Sequence, residues 1–216
     1  MHKQEIIAWA KAKMLDISHH PLEDGYRYYH GERVARLSLR LAEALALPVN
    51  KDVLFIGALL HDVGKVGYSG PDHGPRGAQI IELEIPHLLT QEELAQVTNI
   101  VSNHYERPRS KYWRGRPDPG FPSEILIVQD ADTLDHHGGN GIWIAHHWHT
   151  LERVSQAEAI HRYRVVDAEW RRESWEAMNY AISRRELEYR LKLMDAFFAH
   201  WERETAGELT HLMDNE

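Results

Sequence analysis

The sequence predicts an all-α fold, and three observations support that prediction. Apolar residues recur at spacings of three and four over most of the chain, which is the pattern of helices with one buried face. The strict alternation that predicts strands is absent. Capping residues and prolines separate the periodic segments from one another. The length of 216 residues suits one domain with a substantial core.

The first two predicted helices cover residues 2–16 and about 27–47. In the second helix His30 is followed by apolar residues at spacings of four and three, so His30 lies on the apolar stripe and points inward. The stripe consists of His30, Val34, Leu37, Leu41 and Leu45.

The third predicted helix, residues 51–62, begins after the N-cap Asn50 and ends with His61 and Asp62. The residues before this pair are apolar, so an imidazole and a carboxylate stand at the edge of a dry core. Such a pair persists only if it is paired or coordinated, because desolvating an unpaired ion costs several kcal/mol. The motif His61-Asp62-Val63-Gly64-Lys65 is therefore the first candidate site.

Two more helices bring further histidines. Residues 72–84 form a helix that starts near His73. Thr90 and Glu93 form a capping box, which predicts a helix reaching about His104. This helix has one apolar face, and His104 shares it with Leu94, Val97 and Val101.

The helix predicted from Ser123 carries carboxylates among aliphatic residues. Asp132 lies on the stripe of Ile125 and Val128, while Asp130 lies on the neighbouring stripe. Carboxylates in such surroundings need a cation or a hydrogen-bond partner.

Residues 105–123 contain many prolines and charges and are predicted to form a long irregular loop. Its basic residues, Arg107, Arg109 and Lys111 among them, fit either a clamp for an anionic substrate or a solvated surface loop. Helices follow at about 142–154, 156–182 and 184–206, and a homodimer through these C-terminal helices is left open.

Composition limits the classes of partner. The formal charge of −8 disfavours binding to duplex nucleic acid. No apolar run approaches the length of a membrane span, and the N-terminus lacks the features of a secretory signal, so we expect a cytoplasmic protein without a membrane partner. Cysteine is absent, so any metal site uses nitrogen and oxygen ligands.

The candidate ligands, each from a different helix or helix edge, suit Fe, Mn, Co, Ni or Zn. They are His30, His61, Asp62, His73, His104 and Asp132. Over residues 27 to 137 their order resembles the HD-domain superfamily of metal-dependent phosphohydrolases, with the pattern H…HD…H…H…D. The motifs HDVGK, DHGPRGAQII, NHYER and ILIVQDADTLD carry the resemblance. Tyr105 departs from it, since many relatives have a second His there.

The resemblance implies one or two divalent transition metal ions, with Asp62 bridging them where there are two. A water with a lowered pKa would attack phosphorus, with Asp62 and Lys65 as catalytic residues. Lys65 would also contact a phosphate oxygen, and so, as weaker candidates, would Arg76 and the basic loop. Asp130 is the competing choice to Asp132, and we assign it as an auxiliary residue.

The resemblance therefore predicts a phosphohydrolase that acts on a small phosphorylated compound, with nucleotides as the leading class. Two alternatives remain open: a di-iron oxygenase of the same superfamily, which cleaves a C–C or C–P bond with O2, and a non-catalytic HD module that senses a ligand. The expected organisation is an HD helical bundle with extra C-terminal helices. Residues 1–26 would pack on the core of 27–137, and 138–216 would extend the same domain.

Overall fold

The computed structural model describes residues 1–15, 22–106 and 120–209, and in this part of the chain it contains helices and no strand, so the all-α prediction is confirmed. None of the described helices is long and apolar enough to cross a membrane. The α-helices are α1 (Lys3–Met14), α2 (Tyr26–Ala44), α3 (Lys51–Leu60), α4 (His73–Glu84), α5 (Gln91–Asn103), α6 (Ser123–Asp135), α7 (Gly139–Leu151), α8 (Gln156–His161), α9 (Asp167–Glu176) and α10 (Ala181–Thr205).

The chain divides into two compact units, Met1–Asp135 and His136–Glu216. We call them the first unit and the second unit. All six candidate metal ligands belong to the first unit. The division at 1–26, 27–137 and 138–216 stays a prediction.

The core of the first unit is built where α2, α3, α5 and α6 meet. Val34, Leu54, Val101 and Ile125 each come from one of these helices, and each is fully buried. Burying side chains of this size contributes about 1.5–3 kcal/mol each. The candidate histidines therefore lie next to a tightly packed apolar core.

The predicted caps fix where two of these helices begin. The Asn50 side chain accepts hydrogen bonds from the backbone amides of Asp52 and Val53, at 3.1 and 3.3 Å. Thr90 and Glu93 form both halves of a capping box. Satisfying these amides stabilises each helix start by about 1 kcal/mol.

Two glycines let backbone segments of the first unit approach one another closely. A Cβ atom added to Gly31 of α2 would lie 2.3 Å from the Leu59 carbonyl oxygen of α3. A Cβ on Gly64 would lie 1.8 Å from the carbonyl oxygen of His73. The first contact brings the backbone near His30 close to the backbone near His61. The second does the same for the backbone near Asp62 and that of His73.

The second unit differs from its predicted helices. The segment predicted as one helix over 156–182 consists of α8, a π-helical stretch over Arg162–Val166 and α9, and it ends at Glu176. The wider turn buries Tyr163 against Phe198, with the rings stacked at 3.9 Å, and Arg171 donates a hydrogen bond to the Tyr163 carbonyl. This packing, which apolar periodicity does not encode, accounts for the interruption.

We expect Gly31→Ala to destabilise the first unit by about 1–3 kcal/mol, because the methyl group would collide with the α3 backbone. Urea unfolding followed by circular dichroism measures the change. Gly139→Ala is the matched control, since no atom lies within 4 Å of the added Cβ there. A Gly31→Ala variant as stable as the unmodified protein would contradict this account of the α2–α3 contact.

Candidate metal centre

The six predicted ligands come together in the first unit. His30 lies on α2, His61 and Asp62 follow the last residue of α3, His73 begins α4, His104 follows α5, and Asp132 lies on α6. The four histidines and Asp62 are buried, and the Asp132 side chain keeps 18% of its surface exposed. The cluster thus has one partly open side.

One group of atoms gathers around His30. The His30 Nε2 atom lies 3.2 Å from His61 Nε2 and 3.2 Å from Asp132 Oδ1. His61 Nε2 is in turn 3.7 Å from Asp132 Oδ1. Three potential ligands from three helices therefore point at one another.

A second group gathers around Asp62. His73 Nε2 and His104 Nε2 lie 3.2 Å apart, and they are 3.8 and 3.6 Å from Asp62 Oδ1. The same oxygen lies 3.7 Å from His61 Nε2. Asp62 therefore belongs to both groups, and its Oδ1 atom is their common point.

The contacts of the Nδ1 atoms show which ring nitrogen is protonated in His61 and in His104. His61 Nδ1 lies 2.7 Å from the Ala58 carbonyl oxygen, and His104 Nδ1 lies 2.8 Å from the Val101 carbonyl oxygen. A carbonyl only accepts hydrogen bonds, so each Nδ1 carries the proton. The Nε2 atoms of His61 and His104 consequently face the cluster, where they can coordinate a cation.

The cluster fits a divalent cation. Asp62 Oδ1 is buried and has no hydrogen-bond partner among the described residues, which is costly for a carboxylate oxygen. Ligands about 2.1 Å from a transition metal lie roughly 3.0 Å apart in octahedral and roughly 3.4 Å apart in tetrahedral coordination. The three 3.2 Å separations fall between these values. The donor set of imidazoles and carboxylates suits Fe, Mn, Co, Ni or Zn.

Ionisation in the cluster also favours a cation. Burial raises the pKa of Asp62, but Lys65, His61 and the neighbouring groups outweigh it and hold that pKa well below the usual range. Burial lowers the pKa of His61 to about 3 and that of His73 to about 4. Near neutral pH the carboxylate is charged and both of these imidazoles are neutral, as metal binding requires.

His30 occupies the most negative part of the cluster. Burial lowers its pKa, but hydrogen bonds to Asp132 and Asp135 outweigh burial and raise the pKa to about 9. A positive charge at this point is therefore favoured, whether it is a proton or a metal ion. Binding of a cation here would release that proton.

Two basic side chains contact Oδ2, the other carboxylate oxygen of Asp62. Lys65 Nζ donates to Asp62 Oδ2 at 2.8 Å, and Arg27 Nη1 donates to the same atom at 3.3 Å. Both side chains remain partly exposed. Arg27 is not among the residues predicted from the sequence, although it precedes His30 by three residues and so lies on the same face of α2.

The other residues predicted for the site are Arg76, Asp130 and the three basic residues of the loop. Arg76 donates hydrogen bonds to the carbonyl oxygens of Gly64 and Val66, the second at 3.0 Å, so it supports the turn that carries Lys65. Asp130 is fully buried. The roles predicted for both stay predictions. Arg107, Arg109 and Lys111 lie outside the described residues.

Asp135 and Arg33 also reach the cluster, and sequence reasoning assigned them no role. Asp135 Oδ2 lies 2.8 Å from His30 Nδ1, and Arg33 Nε lies 2.9 Å from Asp135 Oδ1. Asp135 is on the same helical stripe as Asp132, which is the signal that could have indicated it.

Comparison with known proteins gives a family and a fold. The model of the HD domain family matches residues 27–136. An HD-superfamily hydrolase from Bacillus thuringiensis is 21% identical over 95% of this chain and 97% of its own, with a TM-score of 0.65. A protein from Lactobacillus plantarum is 21% identical over 96% and 98%, with a TM-score of 0.64. At these identities the structures establish the fold.

A third similar structure is Bacillus subtilis YpgQ in complex with ADP. It is 18% identical over 94% of this chain and 97% of its own, with a TM-score of 0.59. No curated protein is significantly similar to the chain in sequence.

We expect Asp132→Asn to weaken metal binding and Asp130→Asn to leave it unchanged. Asp132 Oδ1 lies 3.2 Å from His30 Nε2, so removing its charge should weaken Mn²⁺ or Co²⁺ binding at least about 10-fold. Asp130→Asn should bind these ions as the unmodified protein does. Titration of the chelator-treated proteins measures both affinities, with circular dichroism as the check on folding. Loss of binding in Asp130→Asn alone would reverse the assignment.

Proposed function

The chain belongs to the HD-domain family, and from that premise we propose that it is a metal-dependent phosphohydrolase whose substrate is a small phosphorylated compound. The observation that carries the proposal is the convergence of His61, His73 and His104 on the Oδ1 atom of Asp62, which has no hydrogen-bond partner among the described residues. The sensing alternative needs no such cluster of acceptors.

We propose two cation positions that share Asp62. One would be held by the group of His30, His61, Asp62 and Asp132, and the other by the group of Asp62, His73 and His104. A divalent cation supplies Lewis acidity here: it lowers the pKa of a bound water and draws charge from a phosphoryl oxygen.

The side chains beside the cluster fit an anionic substrate. Lys65 and Arg27 are partly exposed basic side chains that contact Asp62, the carboxylate that would hold the ions. Lys65 would contact a phosphoryl oxygen as a point charge, while Arg27 presents several donors in a plane. His61 and His104, fixed by backbone carbonyls, keep their Nε2 atoms aimed inward and away from the substrate.

Nucleotides are the substrate class that we propose to test first. YpgQ, which shares the fold, was crystallised with ADP. Two basic groups beside a candidate metal centre suit a diphosphate or triphosphate, because such chains carry several negative charges. We propose that Arg107, Arg109 and Lys111 add to this positive charge.

The first experiment is elemental analysis of the purified protein, paired with an anaerobic assay on nucleotides and other phosphoesters. We expect one or two Mn, Fe, Co, Ni or Zn ions per chain and release of phosphate or pyrophosphate. Asp62→Asn should lose both metal and activity, whereas Asp24→Asn, on an exposed residue, should lose neither. Iron with O2 uptake and no hydrolysis would favour the oxygenase. Full activity in Asp62→Asn would overturn the site.

We expect Lys65→Ala to lower kcat/KM for a phosphorylated substrate roughly 10- to 100-fold, because a charge-assisted hydrogen bond contributes about 1.5–3 kcal/mol. Assays at saturating metal separate this effect from any change in metal affinity. Lys51→Ala is the control, since Lys51 is exposed at the start of α3. Equal kcat/KM values for Lys65→Ala and the unmodified protein would remove Lys65 from the substrate site.

A further inference from the structure

The imidazole ring of His30 is held in a different way from the rings of His61 and His104. The Nδ1 atoms of His61 and His104 each contact a carbonyl three residues earlier in the chain. The Nδ1 atom of His30 instead contacts the carboxylate of Asp135, which is 105 positions away. The ring position of His30 therefore depends on how α2 packs against α6.

The carboxylate at this contact is itself held by a second side chain. Arg33, three residues after His30 on α2, donates from Nε to Asp135 Oδ1 at 2.9 Å and from Nη2 to Asp135 Oδ2 at 3.1 Å. Asp135 is 3% exposed. Because the guanidinium only donates, it requires an acceptor at both positions of the Asp135 side chain.

We propose that Asp135 and Arg33 are positioning residues for the metal centre. This inference rests on the proposed function. Asp135 accepts the Nδ1–H of His30, which leaves Nε2 as the nitrogen directed at His61 and Asp132, where a bound cation would replace its proton. Arg33 fixes the rotation of the carboxylate, so that an acceptor always faces His30.

A substitution with nearly the same shape tests this arrangement. In Asp135→Asn one of the two terminal positions becomes an NH2 group, which cannot accept from Arg33. At the Oδ1 position this NH2 group would face Arg33 Nε, and at the Oδ2 position it would face both His30 Nδ1 and Arg33 Nη2, so in either orientation a donor meets a donor. The amide or the imidazole ring must move to separate the two donors, so His30 Nδ1 loses its fixed acceptor and Nε2 is no longer held toward the cation position.

The arrangement also predicts a rescue. Arg33→Met keeps a long side chain and removes every donor, so in the double variant no guanidinium opposes the NH2 group at position 135, and the amide oxygen can face His30 Nδ1. We expect Asp135→Asn to weaken Mn²⁺ binding about 10- to 100-fold. The double variant should recover most of that loss, and Arg33→Met alone should change the affinity only a few-fold. A purely structural role for Asp135 would instead make the double variant worse than either single one.

Mn²⁺ titration of the chelator-treated proteins measures the four affinities, with thermal melting as the check on folding and Asp24→Asn as the exposed-carboxylate control. Equal affinities for Asp135→Asn and the unmodified protein would overturn the inference alone, as would a double variant that recovers nothing. An unmodified protein that binds no divalent cation would overturn the proposed function and the inference with it.

A measurement on the unmodified protein does not depend on how the variants fold. In the Zn²⁺-loaded protein, ¹⁵N–¹H correlation spectra of the histidine rings should show the His30 proton on Nδ1, hydrogen-bonded to a carboxylate. A His30 ring with its proton on Nε2 would overturn the inference, whatever the variants do.

Discussion

The first unit depends on holding mutually repelling acceptor atoms close together in a dry core. His61 and His104 turn lone pairs toward Asp62, whose Oδ1 atom has no hydrogen-bond partner and whose charge is retained. Lys65 and Arg27 offset the desolvation of this carboxylate through Oδ2, but without a cation the Oδ1 atom faces only the imidazoles. The surrounding helices must therefore supply enough apolar burial to hold the cluster together until a cation binds. The fully buried side chains of Val34, Leu54 and Ile125 provide part of it.

Close backbone contacts convert that burial into a defined geometry. Gly31 follows His30 and meets the α3 backbone two residues before His61, so the 3.2 Å separation of the two imidazoles depends on a contact between main chains. Gly64 meets the carbonyl of His73 in the same way. Main-chain contacts are stiffer than contacts between side-chain ends, so the spacing of potential ligands is set by the fold and not by flexible side chains.

Periodicity in the sequence was enough to predict the all-α class and to direct His30, His104 and Asp132 inward, because a ligand on an apolar stripe breaks the pattern visibly. The contacts of Arg27 and Arg33 were not predictable in the same way. Both are ordinary charged residues of α2 in the sequence, and their partners come from α3 and α6 only after folding. The interruption of the helix predicted over 156–182 was missed for a related reason, since the stacking of Tyr163 on Phe198 joins distant segments.

The two oxygens of Asp62 divide the site into two electrostatic regions. Oδ1 faces imidazole nitrogens, and a cation between them would be stabilised. Oδ2 already accepts hydrogen bonds from Lys65 and Arg27. A cation at Oδ1 would withdraw charge from the whole carboxylate, which weakens the hold of Oδ2 on both basic side chains. Those side chains would then be available to an anionic substrate at the partly open edge. Binding of a metal ion and binding of an anionic substrate would then be linked through one carboxylate, and by reciprocity a bound anion would favour the cation as well.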